Sequence, residues 1–303
     1  MSYDLTRVAH WVPDGAYLFQ HIADRFLLQL TRLIGARSHI HQAPTGAIHW
    51  LEVNGTGPLP TAVLLHGLGS GSVHYARLLA KLKPRVRRII APDMPGHGMS
   101  APLQPGASRE DGWAAFCNAL DEAIDEPAIL FGNSLGGLGA IRYALERPQN
   151  VAGLMLVSPA GAFMRPAELE RFLAGFEMPS HAHALDFTDR LFERPHRLRH
   201  LLAMGVRSRF SRPAVRQLLH GLTPEELLTP EQLSRLSMPI YLVWGQAERI
   251  LPREHFRFFT DHLPAHTWRE EPHNFGHAPF IDHPNRVARM LLRFAEHAAA
   301  APA

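Results

Sequence analysis

The chain has 303 residues, 46% hydrophobic and 19% charged, a balance that excludes disorder and collagen-like structure and allows a sizeable core. Its 31 basic and 28 acidic residues leave a net charge of +3, and only Lys81 and Lys83 among the bases are lysine, so the cations are nearly all arginines, charged at any working pH. The single cysteine, Cys117, excludes an internal disulfide and any zinc site built on several thiolates. No metal or cofactor is expected.

Asp4, Arg7 and Asp14 interrupt the N-terminal segment, which therefore lacks the apolar stretch of a secretion signal. The longest uncharged run, between Glu52 and Arg77, is broken by Gly55, Gly57, Pro58, Pro60, Gly67, Gly69 and Gly71, so no spanning helix is expected there. A cytoplasmic protein is the resulting expectation. Residues 18–34 place apolar side chains at 19, 22, 23, 26, 30, 33 and 34, a helical stripe with Asp24, Gln29 and Arg32 off it. The stripe is expected to pack on the protein's own body or on a partner. An interfacial helix that touches a membrane or lines a substrate entrance is the less favoured reading.

From about residue 48, apolar β-prone runs alternate with helical patterns. Ala62–Leu65, Arg88–Ala91, Ala128–Phe131, Leu154–Val157 and Ile240–Trp244 are near-continuous apolar runs of the kind buried on both faces of a parallel sheet. Helical stretches such as Leu138–Glu146 and Asn285–His297 fall between or after them, which predicts an α/β protein with a mostly parallel sheet. The basic run Lys81, Lys83, Arg85, Arg87 and Arg88 carries no interleaved aromatics, so it reads as a solvated loop and no nucleic-acid partner is expected. Between Val157 and Ile240 there is no strand-like run. Thr223-Pro224-Glu225-Glu226 and Thr229-Pro230-Glu231-Gln232 both have the form of capping boxes, and residues 162–237 are expected to be a helical insertion over the sheet. The Ala-rich tail, residues 298–303, is expected to fray.

Gly132-Asn133-Ser134-Leu135-Gly136 follows the strand Ala128–Phe131 and opens a helix. G-x-S-x-G in that context is a nucleophile elbow, with the serine on a strained strand-to-helix turn. Serine needs a base. His277 lies in a glycine-containing loop after the strand-like Thr267–Glu270, at the same end of the sheet, and is preferred to His273. A carboxylate must then orient the imidazole. Glu248 follows the strand Ile240–Trp244, giving the chain order Ser134, Glu248, His277; the competing reading pairs Glu248 with Arg249 or Arg253. Asp282 reads as a helix cap before Pro284, Asp93 as a tie within its own turn, and His66 as structural. The His66-Gly67-Leu68-Gly69 loop follows Ala62–Leu65, so the N–H groups of Leu68 and Leu135 form the candidate oxyanion hole.

The motifs HGLG, DMPGHGMS, GNSLGG, WGQAERILP and GHAPFIDHP, in this order, resemble those of α/β-hydrolase fold serine hydrolases, over roughly residues 46–161 and 238–297. The resemblance implies nucleophile Ser134, base His277 and acid Glu248. It also implies a hydrolase core of 46–161 and 238–297 and a cap of 162–237. Residues 1–45, which carry the helical stripe, are expected to be an N-terminal helical extension. Two positions depart from the family pattern. The acid, usually aspartate, is Glu248, and Asp282 stands where many members have glutamate. A serine nucleophile argues against the family's dehalogenases and epoxide hydrolases, which attack with aspartate.

The expected activity is hydrolysis of a small-molecule carboxylic ester with an apolar acyl or alcohol part. GNSLGG followed by LVSPAG also resembles hydrolases that cleave carbon–carbon bonds in aromatic ring-fission products. Those carry a G-x-G-P-G loop and a tryptophan after the histidine, where this chain has GLGSG and Ala278. A catalytically inactive binding protein is the third reading. The oligomeric state is not legible in the sequence.

Overall fold

The computed structural model describes residues 14–300, with side chains from Gln20 onward. The five apolar runs become the middle of one sheet of eight strands, β1 (Arg37–His41), β2 (Ile48–Asn54), β3 (Ala62–Leu65), β4 (Arg88–Pro92), β5 (Ala128–Ser134), β6 (Val151–Pro159), β7 (Ile240–Val243) and β8 (Trp268–Glu270). Their order is β1-β2-β4-β3-β5-β6-β7-β8. β1 and β2 run antiparallel to their neighbours and all other pairs are parallel.

Helices α1 (Asp14–Leu33), α2 (Ala76–Leu82), α3 (Arg109–Ala123) and α4 (Leu135–Glu146) precede β6. Between β6 and β7 come α5 (Pro166–Ala174), α6 (His181–Leu191), α7 (Arg199–Phe210), α8 (Pro213–Gly221) and α9 (Pro230–Ser234), with no strand among them. α10 (Arg253–His262), α11 (Pro279–Asp282) and α12 (Pro284–Ala300) complete the chain.

Both faces of the central strands are buried because alternate residues feed two apolar layers. Leu130 of β5 packs with Phe116 and Leu120 of α3 and Ile141 of α4. Its neighbours Ile129 and Phe131 pack on the other side with Leu78 and Leu82 of α2 and Leu291 and Phe294 of α12. Each such side chain contributes roughly 1.5–3 kcal/mol by leaving water. The register Leu65↔Gly132, Gly132↔Leu156 and Val157↔Val243 brings the carboxyl ends of β3, β5, β6 and β7 to one edge. Ligands of open α/β sheets bind at that edge.

Several expectations are corrected. The segment before the core is not helical throughout, because Arg37–His41 forms the edge strand β1; residues 1–13 of that segment lie outside the described residues. The apolar stripe of α1 faces the body only in part, with Ile34 packed on the core and Ala23 half-buried. Ile22, Phe26, Leu30 and Leu33 are exposed, while Gln20 and Thr31 are buried and Asp24 is drawn inward by Arg209 at 2.7 Å. The basic run is a loop in its middle: Lys83, Arg85 and Arg87 lie in the turn between α2, which holds Lys81, and β4, which opens with Arg88, and Arg85, Arg87 and Arg88 are tied to Glu296, Glu126 and Asp125. The first capping box holds only a single 3₁₀ turn, Pro224–Glu226, whereas the second opens α9. Asp282 closes α11 instead of capping α12, and the carbonyl of His283 accepts from the N–H groups of Arg286 and Val287. α12 extends to Ala300 with Ala298 buried, so fraying does not begin at 298; residues 301–303 are not described.

Candidate active site

Ser134 stands at the junction of β5 and α4 with φ 55° and ψ −121°. That positive φ is a strained conformation for a residue with a side chain. The turn closes so tightly that a Cβ on Gly132 would lie 2.4 Å from the Gly136 carbonyl oxygen, and one on Gly136 would lie 2.0 Å from that of Leu65. No L side chain fits at either place, which is why the elbow needs both glycines.

His277 is buried in the loop between β8 and α11, and its Nδ1–H donates to Glu248 Oε2 at 2.8 Å. Glu248 Oε1 accepts from the N–H groups of Ile250 and Leu251 at 2.7 and 3.0 Å. Burial works against ionisation of Glu248, but the charge and hydrogen bond of His277, the nearby Ser158 hydroxyl and the Leu251 N–H outweigh it. Its carboxyl is held below the usual range. An ionised Glu248 fixes the proton on Nδ1 and leaves Nε2 as the free lone pair. The competing ion pairs are absent: Arg249 donates to the Asp189 and Phe192 carbonyls of the helical insertion, and Arg253 pairs with Glu271. His273 is exposed and bonded to Gln246, on a different side chain set from Ser134.

Ser134 and His277 line one cavity of about 230 Å³ together with Gly67, Leu68 and Gly69 of the loop after β3. A Cβ on Gly67 would lie 3.3 Å from that of Ser134, so this loop packs directly on the elbow. Leu135 follows Ser134 as the first residue of α4, where a backbone N–H has no partner inside the helix. The far wall is apolar. Phe176, Phe187 and Phe210 of the helical insertion stand in mutual ring contact, with centroids 5.2–6.1 Å apart.

The family model for the alpha/beta hydrolase fold matches residues 60–284. The chain belongs to the α/β-hydrolase family. A pimeloyl-[acyl-carrier protein] methyl ester esterase of Yersinia pseudotuberculosis serotype IB (strain PB1/+) is 32% identical over 77% of this chain and 92% of its own length. A bacterial membrane phospholipase A superposes with TM-score 0.77 at 25% identity, covering 94% of each chain. Carboxylesterase CesB (YbfK) of Bacillus subtilis superposes with TM-score 0.74 at 23% identity over 92% of this chain and 98% of that one. This α/β hydrolase is an enzyme of the esterase type.

Three further features belong to the hydrolase site. Asn133, the variable residue of the elbow motif, is buried and donates to the carbonyls of Val157 and His277 at 3.0 and 2.9 Å. Ser158, one residue before the end of β6, has φ 41° and its buried hydroxyl beside Glu248. The third is a second Ser–His–Asp array on the same cavity. The Ser70 hydroxyl donates to His74 Nδ1 at 2.9 Å, and His74 Nε2 faces Asp24 at 3.6 Å. The Gly71 N–H occupies the same Nδ1 lone pair at 3.0 Å, and burial and the Arg209 charge hold His74 neutral. A base already hydrogen-bonded by the backbone is poorly placed to take a proton from Ser70.

Elsewhere the expectations hold. His66 donates from Nδ1 to the Gly67 carbonyl and accepts the Met94 N–H on Nε2, so both ring nitrogens are used in structure. Asp93 accepts from Met99 N–H within its own turn, and also from His49 Nδ1 of β2 and the Ser72 N–H after β3, linking three segments.

Proposed function

We propose that this hydrolase cleaves carboxylic esters through an acyl-enzyme, with Ser134 as nucleophile, His277 as base and Glu248 as the acid that orients it. The observation that carries the reading is the 2.8 Å bond from His277 Nδ1 to Glu248, on a histidine that shares a cavity with a strained elbow serine. Nε2 takes the Ser134 proton as Oγ attacks the ester carbonyl, and the N–H groups of Leu68 and Leu135 hold the oxyanion. His277 then protonates the departing alkoxide. A water molecule, deprotonated by the same nitrogen, attacks the acyl-enzyme and releases the acid and Ser134.

Residues 46–161 and 238–297 are the proposed hydrolase core and 162–237 the cap that shapes the acyl pocket. Phe176, Phe187 and Phe210 favour an apolar acyl chain over a charged one. An ester at the end of an acyl chain, as in the name of the Yersinia relative, is the proposed substrate class. A cytoplasmic setting is proposed on the buried, unpaired Cys117. p-Nitrophenyl esters from acetate to palmitate, with methyl esters of the same acids, test this reading. Turnover that rises with acyl length beyond acetate supports it, and no turnover of any ester overturns it.

A further inference from the structure

α1 is apolar on both sides. Inward, Leu27, Leu28 and Ile34 pack on the core beside the buried Gln20 and Thr31, and outward a second apolar stripe is exposed. Gln20 and Thr31 are 2% and 0% exposed, while Ile22, Phe26, Leu30 and Leu33 are 58%, 63%, 37% and 82% exposed. The 3.6-residue repeat sets these four on one stripe and places Arg25 and Arg32 along one border of it. Both arginines are exposed, as is Arg37 just beyond the helix, and none of the three is paired with a carboxylate among the described residues. Asp24 is committed inward to Arg209 and His74, and no acidic residue occurs between it and Glu52. Large apolar side chains lined up in water mark an interaction surface. Exposed cations along the stripe that no carboxylate pairs select a negatively charged partner.

We propose that the outer face of α1 docks in the plane of an anionic lipid surface, with the four apolar side chains among the acyl chains and the arginines at the headgroups. The dimensions suit this mode, since an interfacial helix buries its apolar stripe only at the headgroup boundary and does not span. No helix among the described residues is long and apolar enough to cross a membrane. Apolar burial and cation attraction add, and neither alone holds a peripheral protein firmly. The opposite side of the same helix contributes Gln20, Ala23 and Leu27 to the wall of the Ser134 cavity. Docking therefore brings the cavity wall to the lipid surface, where esters of long acyl chains concentrate.

Co-sedimentation of the full chain with lipid vesicles tests the proposal without any turnover, so it stands or falls separately from the ester assignment. Wild type should bind vesicles rich in phosphatidylglycerol, bind phosphatidylcholine alone far more weakly, and lose affinity as salt rises. Phe26→Ser with Leu33→Ser should weaken binding at least about tenfold. Arg25→Gln and Arg32→Gln should each weaken it roughly fivefold. None of these residues lines the Ser134 cavity, so hydrolysis of a short soluble ester should be unchanged in all of them. The arginine variants alter only exposed side chains and carry the test if the apolar pair fails to fold. Absence of wild-type binding to phosphatidylglycerol vesicles overturns the proposal, as does binding indifferent to all of these substitutions. A wild-type dimer dissolved by Phe26→Ser with Leu33→Ser, with no vesicle binding, assigns the face to a second copy instead.

Discussion

The Asn133 side-chain amide donates to the carbonyl oxygen of His277 at 2.9 Å, joining the residue before the elbow serine to the backbone of the histidine loop. The same amide holds the Val157 carbonyl at 3.0 Å, so one buried side chain ties β5, β6 and the loop after β8 together. Relative placement of Ser134 and His277 thus depends on a residue with no chemistry of its own. Asn133→Ala leaves two buried carbonyls unpaired, at a cost of about 1–3 kcal/mol each. Expected is a fall in kcat of roughly 10- to 100-fold from misplacement of the pair, with KM little changed. A loss of thermal midpoint with full kcat would assign Asn133 to stability alone.

Glu248→Gln preserves shape and removes the charge that stabilises an imidazolium. A loss in kcat of about 10³–10⁴ is expected, with KM little changed, and Glu248→Asp should retain part of the rate. Ser158 sits beside this carboxylate near the end of β6. Ser158→Asp in the Glu248→Gln background should therefore recover part of the lost rate. Full activity in Glu248→Gln alone would mean that another carboxylate serves.

Asp93 accepts from His49 Nδ1 and from the N–H groups of Ser72 and Met99 at 2.8, 2.6 and 3.0 Å, wholly out of water. Asp93→Ala strands three buried donors, and a destabilisation of about 3–5 kcal/mol is expected by urea unfolding. A change within 1 kcal/mol, about the size of an ordinary surface substitution, would contradict the hub role.

Burial opposes the charge of Asp24, but His74 and Arg209 outweigh it and hold its carboxyl well below the usual range. A depressed carboxylate stabilises the fold above its unfolded value, near 4, and that stabilisation is lost as pH falls below it. The thermal midpoint of wild type should exceed that of Asp24→Asn at neutral pH, and the gap should close as the solution is acidified below pH 4 or so. A gap independent of pH would rule out a charge effect.

The central strands and the elbow were legible because each is set by local chemistry. Ala128–Phe131 is apolar on both faces, and Gly132 and Gly136 answer contacts that no side chain survives. β1 was not legible, since its residues Arg37–His41 are largely exposed at the sheet edge and carry no apolar alternation. The facing of α1 was misread for a different reason. Periodicity locates a stripe, but Asp24 meets Arg209, distant in sequence, and turns the other side inward. Asn133 and the Ser70–His74–Asp24 array depend on contacts between distant segments, which spacing does not encode.

The Ser134 assignment is tested most directly by labelling with a fluorophosphonate ester probe and locating the adduct by mass spectrometry. A single adduct on Ser134 is expected, unaffected by Ser70→Ala and lost or slowed by at least about 10³-fold in His277→Ala. An adduct on Ser70 that disappears in His74→Ala, or labelling of Ser134 indifferent to His277→Ala, would contradict the Ser134–His277–Glu248 assignment.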